Sequence, residues 1–490
     1  MPQWKAVGNV LRTDAPASLV VFLVALPLCV GVAVASGVPA ELGLITGIVG
    51  GLLTGLLPGS SLQVSGPAAG LTVLVAEAVR GYGLPALGVI VLATGLLQIA
   101  LGAMRLGGWF RAISVAVVEG MLAGIGLVII AAQLYTLADT PAPASGIGKI
   151  AGLPALIGEV TTSPAAASAL ALGGTTIAVC ALWRWMPGAL KRVPGALAAV
   201  LITSLGAGAL GLPVTTVEVG GLLDAVNFPS AQEAGTLTGL GALATVVAFT
   251  LIASAESLFS AAAVDRLHDG PRTHFNKELM AQGAGNAVCG LLGALPMTAV
   301  IVRSAANVQA GAKTKASRVL HGVWLLLFAA LFPAVLGLVP VAALAGVLIH
   351  AGFKLLPIRQ VRPMWRAHRG EAVILLTTAA AIVTVNMFEG VLIGLALSVV
   401  KTAWDISHIQ IDVTHNDDTG PLLVRITGYA TFLRLPKLLD TLGSLPADRP
   451  IHLDLTQLRH QDHACTTALL AWAEQHNTHE PQRVHVIAAV

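Results

Sequence analysis

Apolar residues run through this chain in long blocks, separated by short loops that hold most of the polar ones. A helix needs about 20 mostly apolar residues to cross the hydrocarbon core of a bilayer. Stretches that approach that length lie at residues 19–35, 42–57, 85–104, 113–135, 167–186 and 195–210, and again at 240–263, 279–295, 319–338, 341–353, 372–385 and 390–404. Two further apolar pieces, "GPAAGLTVLVAEA" from Gly66 and "RSAANVQAGA" from Arg303, are too short or too interrupted to span. Together they predict an all-α polytopic membrane protein of about fourteen segments. After Trp404 the pattern changes. "LLVRITGYATF" alternates like a strand, "RLPKLLDTLGSL" has helical spacing, "IHLDLTQL" is strand-like, "CTTALLAWAEQHN" helical and "VHVIAAV" strand-like again. The chain therefore divides into a membrane domain, residues 1–407, and a small cytosolic α/β domain, residues 408–490.

Composition agrees with a bilayer environment. Hydrophobic residues make up 55% and charged residues 11%, against roughly 25% charged in soluble domains, and mean hydropathy is +0.81. The net charge of +3 is small, and no basic run is interleaved with aromatics, so nucleic acid is not an expected partner. The N-terminus shows no short apolar core followed by a small-residue cleavage site, so no cleaved signal peptide is expected. Cys29, Cys180, Cys289 and Cys465 are far apart and form no metal or disulfide pattern. No cofactor or metal is expected, and no nucleophile, base and orienting group cluster as an enzyme would need.

The basic residues orient the chain. Lys5 and Arg12, then Arg105 and Arg111, then Arg184, Lys191 and Arg192, fall on one side in an alternating count. "VDRLHDGPRTHFNKE", "GAKTKASR" and "FKLLPIRQVRPMWRAHRG" fall on that side too, whereas "GLPVTTVEVGGLLDAVNFPSAQEAG" on the other side lacks Lys and Arg. The positive-inside rule puts both termini in the cytoplasm of a cell whose inner (plasma) membrane the protein crosses many times.

The two short pieces have similar leads, "GLLTGLLPGSSLQVSGPAAG" from Gly51 and "CGLLGALPMTAVIVRSAANV" from Cys289. Aligning Pro58 with Pro296, an offset of 238 residues, sets Ser65 on Arg303 and Gly66 on Ser304. Each copy reads as a full span, a proline, a brief extended stretch and a helix start. Short, Gly/Pro-interrupted segments at matching places in two halves point to a transporter site at the bilayer midplane. Extended backbone survives there only where protein covers it or where it lines a cavity. Helix starts carry unpaired N–H groups and a partial positive charge, so two facing ones make an anion site. Arg303 adds a full charge, at a cost of roughly 2.5–3.5 kcal/mol on insertion scales, so a compensating partner is expected.

Glu256, in the apolar helix "VVAFTLIASAESLFSAAAVDRL" among Ser254, Ser257 and Ser260, is the carboxylate nearest to such a role. Desolvation favours its neutral form and a nearby arginine its charged form, and a group balanced between those pulls can carry a proton. A static Glu256–Arg303 pair is the bland alternative. Glu41 and Glu77 sit near span ends, where they face water or cap helices. Gln133 and Asn386 are expected to pack between helices.

At these residues the chain resembles the SulP anion permeases, the sulfate and bicarbonate transporter family. "ASGVPAELGLITGIVGGLLTGLLPGS", "LQVSGPAAGLTVLVA", "VVEGMLAGIGLVIIAAQL" and "SAANVQAGAKTKASRVLHG" resemble its signatures in the right order over essentially the whole chain. The resemblance implies seven-plus-seven inverted repeats, as in uracil permease, and a membrane homodimer. A core (about 14–105 and 240–338) would carry the substrate past a gate (about 111–211 and 341–405). It implies substrate contacts at Gly66, Pro67, Ala68 and Ala69 on one side and Arg303, Ser304 and Ala305 on the other. The family's eighth-segment carboxylate maps onto Glu256. Sodium-coupled bicarbonate members tend to have Asp there with a hydroxyl residue four positions later. Glu256 with Ser260 as a possible ion ligand favours protons over sodium.

The tail resembles a STAS domain. The usual "D-x-S-G…D-S-S-G" stretch appears as "DLTQLRHQDHACTT": Asp454, Thr456 and Asp462 match, but Ala464 stands where the phospho-acceptor serine would be. A cytosolic docking partner is therefore the implied role. The expectation is a secondary active transporter of small anions (sulfate, bicarbonate or short carboxylates such as C4 dicarboxylates), with proton-coupled symport by an elevator-like motion. Sodium-coupled symport, anion exchange, a nucleobase permease and a STAS-signalling membrane sensor are the alternatives.

Overall fold

Long apolar runs have no way to satisfy their backbone in a bilayer except as helices, and helices dominate the computed structural model. It describes residues 3–108, 114–143, 145–187, 193–218, 220–415, 420–446, 449–477 and 483–487. Arg111, Lys191 and Arg192 lie outside the described residues, as do the last three of the expected final strand.

In the first half, α1 (Gln3–Ala35) is followed by α2 (Ala40–Val49), which continues through a π-helical turn at Gly50–Thr54. A strand, β1 (Ser65–Pro67), then leads through a 3-10 turn (Ala69–Leu71) into the half-length α3 (Thr72–Tyr82). After these come α4 (Leu84–Ala103) and α5 (Val115–Leu137). Two short helices, α6 (Gly146–Ala151) and α7 (Ala155–Thr162), precede α8 (Pro164–Leu182) and α9 (Gly195–Leu210).

The second half begins, after the single turn α10 (Ala231–Ala234), with α11 (Leu240–Val264) and α12 (Phe275–Leu291). Then come β2 (Met297–Ala299), α13 (Ile301–Gln309), α14 (Ala316–Leu331), the turn α15 (Pro333–Leu336) and α16 (Val341–Leu355). The basic helix α17 (Ile358–Ala367), α18 (Arg369–Thr384) and α19 (Met387–Ile406) complete it. Among the described residues, seven helices are long and apolar enough to cross a membrane, and three shorter apolar ones accompany them. The expected span 279–295 is displaced: α12 starts at Phe275 and stops at Leu291, because Gly293 turns the chain in the left-handed conformation (φ 67°) and only Ala294–Pro296 leads on into β2.

The exterior is apolar as well as the core, and several polar groups are enclosed. Leu205, Leu210, Leu240 and Val399 are among many large apolar side chains facing outward. Gln98, Gln282, Asn286, Arg303, Arg318 and His321 are enclosed. With lipid outside, apolar surface gains nothing by burial, so interior contacts rest on close packing and hydrogen bonds. The α4–α12 pair shows this most clearly. Gly88, Gly95 and Gly102 recur every seven residues on α4, and Gly283 and Gly290 do so on α12. A Cβ at Gly95 or Gly290 would strike backbone of the opposite helix.

The chain forms two compact units, residues 1–394 and 395–490. In the second, β3 (Ile409–His415) pairs antiparallel with β4 (Leu422–Ala430), and β5 (Ile451–Asp454) and β7 (Val484–Ile487) extend the sheet in parallel. β6 (Leu458–Gln461) pairs with the far end of β4. Two helices, α20 (Leu435–Gly443) and α21 (His463–Asn477), supply Leu438, Leu442, Leu469 and Trp472 to its core. The alternating β4 and the two helices follow the sequence pattern. β3 and β6 were not among the expected strands: "IQIDVTH" of β3 does alternate apolar with polar residues as a half-buried strand should, whereas "LRHQ" of β6 is short and almost wholly polar.

Candidate functional site

Two extended leads meet inside the membrane domain. β1 and β2 pair antiparallel, Ser65 with Ala299, Gly66 with Thr298 and Pro67 with Met297. Each strand runs on into its helix, so α3 and α13 start from opposite ends of this three-residue ladder. Strand and helix start are offset by 232 residues between the halves (Ser65 to Met297, Ala69 to Ile301), not by the 238 that aligning the prolines gives. Pro296 immediately precedes β2, whereas six more residues separate Pro58 from β1. The expected pairing of Ser65 with Arg303 is therefore replaced. Ser65 opens β1, and Arg303 is the third residue of α13.

Extended backbone in this setting needs partners, and buried side chains provide them. Asn286 Oδ1 accepts from Met297 N at 2.7 Å while its Nδ2 donates to Met297 O, copying a neighbouring strand. Ser257 Oγ accepts from Ala299 N, and Gln63 Nε2 donates to Ser257 O. Val300 N donates to Val64 O, and Val64 N donates to Ser304 Oγ at 2.9 Å. Ser304 Oγ also donates to Val300 O. Its hydroxyl is thus committed to holding the crossing together, a role the substrate-contact expectation for Ser304 did not include.

Arg303 is 1% exposed. Its Nη2 donates to Pro67 O at 3.3 Å, while among the described residues Nε and Nη1 have no hydrogen-bond partner. Gly66 lies directly against Nη1, where a Cβ would collide with it. Glu256, on α11, is half-buried, and its Oε2 also lacks a partner. Its carboxyl group lies over Gly70, where a Cβ would come within 2.8 Å of Oε2. Among the described residues, no ion pair joins Glu256 to Arg303. Instead of pairing with each other, Arg303 bonds to Pro67 O and lies against Gly66, while the Glu256 carboxyl group lies over Gly70, three residues farther along the chain than Pro67.

Of the other expected residues, Ala68 is buried beside Pro67, Ala69 opens the 3-10 turn, Ala305 is half-buried on α13, and Ser260 is buried one turn beyond Glu256. Gly66 and Pro67 belong to the strand and not to a helix start.

Several neighbours escaped the sequence. Thr298, opposite Gly66 in the ladder, lies beside Glu256, with its side chain toward that carboxyl group. Cys29 of α1 lies against Arg303, and buried His321 of α14, bonded through Nδ1 to Arg318 O, sits within reach of the arginine's charge. Nothing in their spacing marks these residues, since each meets the site only through tertiary packing. Glu41 does not face water: it is 4% exposed and accepts from Gly220 N. Asn386 caps α19 through Glu389 N. In the second unit, Asp462 caps α21 through Cys465 N. Hydrogen bonds from the Thr456 hydroxyl and amide, with help from Arg425, hold half-buried Asp454 below the usual carboxylate range.

Residues 11–378 match the model of the sulfate permease family. The Bacillus subtilis (strain 168) protein YvdB is 29% identical over 420 residues, covering 84% of this chain and 77% of the relative. The bicarbonate transporter BicA of Picosynechococcus sp. is 25% identical over 433 residues, covering 85% and 74%. In three dimensions, the transmembrane domain of a cyanobacterial bicarbonate transporter BicA superposes with a TM-score of 0.68 at 23% identity, covering 79% of this chain and 97% of that one. The murine anion transporter Slc26a9 in its inward-facing state superposes with a TM-score of 0.78 at 15% identity, covering 98% and 85%. These likenesses establish the fold, a polytopic helical membrane domain followed by a small α/β domain. With three quarters of its length inside the family's model, the chain belongs to the sulfate permease family, whose members are transporters and not enzymes.

Proposed function

We propose that this protein is a secondary active transporter of small anions, with Arg303 as the substrate cation and Glu256 as the proton carrier. The observation that carries the proposal is the guanidinium group of Arg303: enclosed, two of its nitrogens without partners, and not neutralised by Glu256. A buried charge left in this way is costly, and a small oxyanion or carboxylate supplies both the opposite charge and the acceptors. The family's name and the bicarbonate transporter among the relatives support sulfate and bicarbonate as candidates. Short carboxylates such as C4 dicarboxylates share the required size and charge.

Protonation of Glu256 would neutralise one carboxylate as an anion enters, which makes symport with protons the preferred coupling. Sodium-coupled symport, with Ser260 contributing, and anion exchange are the alternatives. A nucleobase would need planar hydrogen-bonding side chains where this site has Gly66, Ala68 and Gly70. The motion is read as an elevator: a core (residues 14–105 and 240–338) that carries the site past a gate (111–211 and 341–405). Both termini would lie in the cytoplasm, in a homodimer whose STAS-like tail docks a cytosolic partner.

Uptake of radiolabelled sulfate, bicarbonate and succinate into proteoliposomes, with and without a pH gradient or sodium, tests this. An inward proton gradient should drive uptake in the absence of sodium. Arg303→Ala should abolish uptake while the protein still inserts, and Glu256→Gln should remove the response to the gradient. Normal uptake by Arg303→Ala would make Arg303 structural. Gradient-independent flux in the wild type would sink the proton coupling.

A further inference from the structure

Between α1, α3, α5 and the stretch leading into α6 lies a cavity of about 410 Å3. One face of α3 forms its long wall: Thr72, Val73, Ala76, Val79 and Arg80 recur at helical spacing and all line it. The eight helical steps from Thr72 to Arg80 correspond to about 12 Å of helix. The inner end is Thr72, two residues beyond Gly70 and the Glu256 carboxyl group. Thr72 is 5% exposed, and its hydroxyl has no partner. At the outer end stand Arg80, exposed in the last turn of α3, and Lys149 of α6, 7% exposed. Gln133 of α5 adds an amide. The remaining lining, including Val34, Val128 and Pro143, is largely apolar.

Arg80, Lys149 and the nearby Glu77 act on one another electrostatically, which leaves a net positive charge at the outer end. A cleft with one sign of charge and low-dielectric walls focuses its field and concentrates counter-ions. We propose that this cavity is a second anion site, an access vestibule in which Arg80 and Lys149 collect a small inorganic or short carboxylate anion and pass it along α3 toward Arg303. The proposal rests on the transport reading above and adds to it a capture step governed by residues outside the central site.

The competing role for these charges is a latch, Lys149 on α6 holding Glu77 on α3. The two roles predict opposite signs. For a vestibule, Lys149→Gln and Arg80→Gln each raise the KM for radiolabelled sulfate or bicarbonate by about three- to tenfold, within the range of focused electrostatic effects, with kcat unchanged. Lys149→Arg restores it, and Glu77→Gln lowers KM. For a latch, Lys149→Gln and Glu77→Gln shift the kinetics in the same direction, and that result overturns the proposal.

A second measurement does not depend on transport. Cys29, Cys289 and Cys465 are buried, so Ala76→Cys combined with Cys180→Ser places one accessible thiol in the cavity. A negatively charged methanethiosulfonate should modify it about tenfold faster than a positively charged one of similar size, and Lys149→Gln should reduce that ratio. A ratio near one, unmoved by Lys149→Gln, overturns the vestibule. Absence of uptake by the wild type, with the ratio intact, counts against the transport reading and not against the field.

Discussion

Gly66 has no room for a methyl group, because Nη1 of Arg303 occupies the place a Cβ would take. Gly66→Ala is therefore expected to displace the guanidinium group by a fraction of an ångström to an ångström. Uptake should fall by about tenfold to a hundredfold, the scale on which such misplacement acts at a working centre, while the protein inserts and purifies normally. Proteoliposome flux set against yield of folded protein checks this, and unchanged flux would show that the guanidinium position is not critical. At this scale the chain was legible wherever a residue type was out of place. A charge in an apolar run is costly enough to be conspicuous, so Arg303 and Glu256 could be singled out, and Gly66 stood in a recognisable motif. Thr298, Cys29, Gly70 and Thr72 were ordinary residues in their own segments, and only their neighbours across the fold give them significance.

The elements carry a different kind of information. Glycines at seven-residue spacing let α4 and α12 approach until backbone nearly touches backbone, and the pair is the rigid wall against which β2 is fixed by Asn286. Asn286→Leu leaves Met297 N and O without partners in a site that water does not readily reach. A loss of about 2–3 kcal/mol follows from unsatisfied buried groups, visible as a lower thermal unfolding midpoint of the purified protein together with reduced uptake. An unchanged midpoint would mean that the strand crossing holds without this clamp. Helix positions followed from hydropathy because a span must be long and apolar. Their ends did not: "LGALP" is as apolar as a helix yet leaves it in a turn at Gly293, and the six residues between Pro58 and β1 that have no counterpart after Pro296 shifted the apparent repeat.

For the whole molecule, the C-terminal sheet closes its own core, drawn entirely from residues beyond 408, with Leu422, Val424, Ile426 and Leu453 at its centre. Removal of residues 408–490 thus takes no side chain from the strand crossing or from Arg303 and Glu256. Uptake is expected to persist at a reduced level in the truncated protein, and complete loss with intact insertion would assign the tail a direct part in transport. By itself, the sequence determined a polytopic helical membrane domain, the appended α/β domain and the two charged residues that stand out in it, Arg303 and Glu256, because lipid imposes length and hydropathy on each segment separately. Only the tertiary structure decided that Arg303 and Glu256 stand apart, that Ser304 is bound up in the strand crossing, and that α3 lines a basic cavity leading away from the site. Those relations join residues from tens to hundreds of positions apart in the chain, Val64 and Ser304 being 240 residues apart. Packing and hydrogen bonding across such distances leave no periodicity in either segment.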